Sequence, residues 1–102
     1  MNPANMMAQV KKMQAQMLKA QEELAATVVT GRAAGGAVTV EMSCDHRVKS
    51  VKIAPEAIDP NDVETLEDLV VVATNDALAR VAEESQKRLG AVTGGMRIPG
   101  MT

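Results

Sequence analysis

The chain has 102 residues, 11 Lys+Arg against 13 Asp+Glu, one His, one Cys, eight Met and no aromatic residue. That length accommodates a single domain. The net charge of −2 makes no global case for a polyanionic partner, and the lack of Phe, Tyr and Trp excludes the stacking platforms of RNA-recognition and oligonucleotide-binding folds. A lone Cys and a lone His can build neither an intrachain disulfide nor a four-ligand zinc site within one copy.

Asn2 and Pro3 suit a helix cap followed by a first-turn proline, and no further Gly or Pro occurs until Gly31. One helix is expected over the first 27 residues. Met6, Val10, Met13, Met17, Ala20 and Leu24 alternate spacings of four and three, an a/d seam that predicts a packed helix pair. Methionine also builds adaptable binding surfaces, but on a seam it reads as core.

Thr27 to Thr30 are β-formers, and Gly31 to Gly36 read as a hairpin loop. Val38, Val40, Met42 and Cys44 alternate with polar residues, as in a half-buried strand. Asp45-His46-Arg47 reads as a turn. Val48, Val51 and Ile53 make a third strand whose period breaks once, consistent with a bulge or with a register that the residues leave open. Asp59-Pro60-Asn61-Asp62 looks like the opening of a second helix, expected to run to Leu89 and to end at Gly90. Val63, Leu66, Val70, Ala73, Ala77 and Val81 form one apolar stripe, and Val71, Leu78, Ala82 and Leu89 a second about 100° away. Residues 1–89 thus form one helix–meander–helix domain, and residues 90–102 a tail that composition predicts to be flexible.

The fold class is α+β, an αβββα protomer with a three-stranded antiparallel meander between two long helices. The helices would span ~35 and ~45 Å, against a diameter of ~35 Å for a compact domain of this length. Three short strands cannot cover both, so a two-fold homodimer with protruding helices is expected. Met6, Val10, Met13, Met17, Leu24, Val71, Leu78 and Leu89 are its candidate dimer or helix-packing residues.

No catalytic constellation is present, and no cofactor or small-molecule substrate is expected. Cys44 continues the apolar alternation of its strand, and His46 is an ordinary turn residue, so the pair reads as structural. The Gly31 region lacks the Lys-Ser/Thr of a phosphate loop. The acids are scattered over helix surfaces. No apolar run reaches the ~20 residues of a membrane span and no leader is visible, so a cytoplasmic protein with no membrane partner is expected.

Charge is uneven. Residues 1–52 hold seven Lys+Arg and four Asp+Glu, a net of +3; residues 53–102 hold four and nine, a net of −5. If the helices are antiparallel neighbours, Lys11, Lys12, Lys19, Lys87 and Arg88 collect near one tip, with Arg97 in the tail. Such a tip could neutralise phosphates and bind duplex DNA without reading sequence.

Several segments resemble the YbaB/EbfC family of small bacterial nucleoid-associated proteins. These are Val48-Lys49-Ser50-Val51-Lys52-Ile53 with Pro55, Ile58-Asp59-Pro60, Leu66-Glu67-Asp68-Leu69-Val70, Asn75-Asp76-Ala77 and Gly95-Met96-Arg97-Ile98-Pro99-Gly100. The Met/Gln/Lys-rich opening from Met6 to Leu24 matches as well. The resemblance implies an αβββα protomer, a dimer with tweezer-like helices, a place on the nucleoid, and DNA binding that alters DNA conformation. A competing reading is a protein-binding adaptor or prefoldin-like holdase that uses projecting helices.

Overall fold

The computed structural model describes residues 2–92 of the chain. Helix α1 spans Pro3–Ala26. Strands β1, Val28–Ala33, β2, Val38–Ser43, and β3, Arg47–Ile53, follow, and helix α2 spans Val63–Val92. The strands form one antiparallel sheet in the order β1-β2-β3, which is the expected αβββα meander.

Local chemistry sets most boundaries. The Asn2 side chain accepts from the Ala4 N–H at 3.0 Å, and Pro3 occupies the first turn. The second helix begins later than Asp59 suggests. Asp59 accepts from the Asn61 N–H at 2.9 Å and closes a turn, while Asp62 caps the helix through the Thr65 N–H at 3.3 Å and the Thr65 hydroxyl at 2.6 Å. At its other end α2 continues through Gly90 to Val92, so Gly90 does not stop it. A helical glycine costs only about 1 kcal/mol relative to Ala. Ala91 and Val92 line one groove with Gln16, Lys19 and Ala20 of α1.

Gly31 corrects the loop reading. It lies inside β1, not in a turn, and a Cβ there would sit 2.2 Å from the Ala73 carbonyl oxygen and 2.3 Å from the Ala77 nitrogen. The missing side chain lets β1 press directly on α2, whose small Ala73 and Ala77 complete the contact. The tight β1–β2 turn is Ala34–Gly36, all three at positive φ. The expected break in β3 is a bulge: Glu41 pairs with Ser50 and Met42 with Val48, leaving Lys49 as the extra residue.

The core lies between the sheet and α2. Val38, Val40 and Met42 of β2 meet Ala73, Ala77 and Val81, with Leu24, Ala33 and Cys44 at the margins. Val38, Val40 and Val81 are fully buried, and each contributes roughly 1.5–3 kcal/mol. Val63, at the first turn of α2, is exposed rather than part of this stripe.

Helices α1 and α2 are antiparallel, but they overlap only in part. Leu24 reaches the core and Glu23 meets Arg88, whereas α2 ends beside Gln16. The seam therefore packs only over its second half. Ala20 and Leu24 are buried, while Met6 and Val10 are 51% and 53% exposed. Among the described residues, none of α2 reaches the first half of α1, which extends as an arm. The molecule measures 70 × 27 × 16 Å with a radius of gyration of 19.3 Å, against ~13 Å for a compact domain of this length.

Candidate nucleic-acid interface

The cations expected at one tip occupy three distinct places. Lys11 and Lys12 lie on this arm, more than one turn beyond the last described residue of α2, and both are exposed. Lys19 lines the α1–α2 groove together with Arg88. Lys87, one residue before Arg88, lines a different groove beside Arg32, Arg80, Glu83 and Glu84, along the open edge of β1. The gathering of all five groups into a single cluster is thus corrected. Adjacent helix residues point about 100° apart, and the helices are too unequal in reach for Lys11 and Lys12 to meet α2. Arg97 lies outside the described residues.

Arg88 is also less free than its sequence position suggests. Its guanidinium donates to the Glu23 carboxylate at 2.6 Å. This ion pair joins the helices and neutralises much of the charge that Arg88 could offer a phosphate. Among the described residues, Lys11, Lys12, Lys19 and Lys87 have no ion pair. The arm carries no acid before Glu22, so it is locally positive on a net-acidic chain.

The sequence reading missed a second cationic surface. Burial alternates along β2, with Val38, Val40 and Met42 turned toward α2 and Thr39 and Glu41 away from it. Arg32 and Lys52 both pair with Thr39 and so share its outward face. Reading residues 31–36 as a loop removed Arg32 from the alternation that would have placed it there.

Cys44 and His46 form no reactive pair. Cys44 is buried, and its backbone N–H donates to the Thr27 and Leu24 carbonyls at 2.9 and 3.2 Å. Burial first, then the nearby Glu84 carboxylate, push its thiol above the ordinary value, which disfavours the thiolate that nucleophilic chemistry needs. His46 is exposed in the β2–β3 turn at φ 67°. Its neighbour Asp45 accepts from the Ser43 hydroxyl and lies 3.6 Å from Arg47; the hydroxyl is the main reason that its carboxyl is held below the ordinary range. These contacts tie the hairpin together.

The model of the YbaB/EbfC DNA-binding family matches residues 1–96. The chain belongs to this family. A nucleoid-associated protein of a Roseiflexus species is 48% identical over 100 residues, covering 98% of this chain and 99% of that protein. One from Chloroflexus aurantiacus is 47% identical over 97 residues, covering 95% and 97%. The crystal structure of an uncharacterized protein from Helicobacter pylori superposes with a TM-score of 0.79 at 19% identity, covering 92% of this chain and 99% of that one. That likeness speaks to the αβββα fold alone. Neither the family nor the names of these relatives denotes an enzyme class. Among the described residues no helix is long and apolar enough to cross a membrane.

Proposed function

We propose that the protein is a cytoplasmic, nucleoid-associated homodimer that binds duplex DNA through its phosphates and alters DNA conformation, with consequences for nucleoid organisation and gene regulation. The observation that carries this reading is the free arm of α1. It presents Lys11 and Lys12, with Lys19 at its base beside the α1–α2 groove and no acid before Glu22, on a member of a DNA-binding family whose relatives are nucleoid-associated proteins. Each phosphate that a lysine neutralises releases condensed counterions, so binding is salt-sensitive and indifferent to sequence. Lys87 offers a further cation in a separate groove beside β1, Arg97 is a candidate outside the described residues, and Arg88 positions α1 through Glu23.

A second copy completes the unit. Met6, Val10 and Met13 are exposed along the arm, Val71 and Leu78 along α2, and Val48 and Val51 on β3. Val48 and Val51 lie opposite Met42 and Val40, on the side of the sheet that α2 occupies, but α2 packs over β1 and β2 and leaves them bare. Exposed apolar area on this scale in a small protein is covered most economically by a symmetric partner.

The triple variant Lys11→Glu, Lys12→Glu, Lys19→Glu tests the DNA assignment. It should weaken binding to unrelated duplexes alike and flatten the plot of log K against log salt by about 3, close to one unit per lost contact. An unchanged slope overturns the assignment. The exposed Met stripe favours the holdase reading, which would be supported by suppression of client aggregation without any duplex shift at low salt.

A further inference from the structure

The sheet has two unlike faces. One meets α2; the other carries, in adjacent rows across the strands, Arg32–Thr39–Lys52 and Thr30–Glu41–Ser50. At the β1 end of these rows, Thr30 and Arg32 border a groove with Arg80, Glu83, Glu84 and Lys87 of α2. Arg32 and Lys52 are both exposed, and Glu41 is the one acid among the six. Its contact with Lys52 is a long 3.8 Å and leaves the Lys52 side chain 76% exposed, a geometry that holds little charge back from another anion. Arg32 has no side-chain ion pair among the described residues; its backbone N–H is taken by Asp76 at 2.9 Å, which fixes the strand beneath it.

Strands lie ~4.8 Å apart, so the two cations flank a threonine hydroxyl across roughly 10 Å of flat, rigid surface. This suits a polyanion with closely repeated charges better than a single small anion, because the groove that Arg32 borders also carries Glu83 and Glu84 of α2, which oppose a small anion held there. The row is also remote from the arm. At 1.5 Å per helical residue and ~3.3 Å per strand residue, Lys11 and Arg32 stand on the order of 40 Å apart along the long axis.

We infer that the outward face of the sheet, through Arg32 and Lys52, is a second phosphate-contacting surface for the nucleic-acid backbone, separate from the α1 arm. This inference rests on the DNA-binding reading above and adds to it a surface that α1 does not supply. Arg32 takes a phosphate in its planar fork, Lys52 takes a neighbouring one as a point charge, and the Thr39 hydroxyl donates between them. Glu41 is the opposing charge, which keeps the contact weak and salt-sensitive.

The test is a salt titration of full-length protein against two unrelated duplexes, with Arg32→Gln/Lys52→Gln and, separately, Glu41→Gln. The double variant should flatten the log–log salt slope by about 2 and raise Kd on the order of tenfold at 0.1 M salt. Glu41→Gln should move affinity the other way, and it reports on the surface even where the double variant folds poorly. Both slopes and affinities matching wild type, with wild-type binding intact, overturn this inference and leave the arm assignment standing. Absence of salt-dependent duplex binding by the wild-type chain overturns the DNA reading itself. Pelleting with phosphatidylglycerol vesicles forms the second arm. Loss of vesicle binding in the double variant, with duplex binding unchanged, assigns the face to lipid and overturns the inference.

Discussion

Gly31 is the position where one residue constrains the whole protomer. A methyl group there meets the backbone of α2 at 2.2–2.8 Å, and backbone cannot rotate away as a side chain can. Gly31→Ala should cost about 3 kcal/mol or more, the upper end of overpacking penalties, read as a lowered midpoint in urea. Asp76 works on the same contact through hydrogen bonding. Its carboxylate accepts from the Arg32 backbone N–H at 2.9 Å and from the Arg80 side chain at 3.2 Å, and the Arg32 N–H is the main reason that its carboxyl is held below the ordinary range. Stability from such a group is fully present above the unfolded carboxylate value of about 3.9 and is lost as pH falls through the lower folded value. Asp76→Asn should flatten the acid limb of melting temperature against pH and leave the neutral region parallel to wild type. An unaltered acid limb would remove Asp76 from the account.

At the scale of elements, the informative contact is the overlap of α1 and α2. Glu23 and Arg88 are separated by 65 positions in sequence and meet at 2.6 Å, with side chains 41% and 34% exposed. A pair this open to water is worth little in free energy, so a double-mutant cycle of Glu23→Ala and Arg88→Ala should give a coupling of about 0.2–1 kcal/mol. Its importance is positional, since it fixes where along α1 the arm becomes free. A coupling near zero would mean that Leu24 packing alone sets the overlap. The heptad seam was legible as a seam because its spacing is exact. How much of it packs was not, because that depends on how far a distant helix runs, and Gly90 misleads on that point: one helical glycine costs only about 1 kcal/mol relative to Ala.

For the whole molecule, elongation decides the quaternary expectation. A radius of gyration of 19.3 Å and a 70 Å long axis leave apolar residues on α1, α2 and β3 that one protomer cannot hide. Sedimentation equilibrium at micromolar concentration should return twice the 10.8 kDa chain mass, with dissociation coupled to unfolding. A folded species at the single-chain mass would overturn the dimer.

Periodicity, caps and β-propensity are local properties, so the residues alone determined the αβββα order, the N-cap at Asn2, the break of period in β3, the burial of Cys44 and the two apolar stripes on α2. The uneven charge was equally visible, as was the family likeness in its motifs. Only the tertiary structure decided which stripes are covered, that Gly31 is a packing glycine within a strand, that Arg88 is tied to Glu23, and that Arg32 and Lys52 share a face. Each of these depends on the register between segments far apart in the chain, and register is set by the sum of many packing contacts that no single stretch of sequence contains.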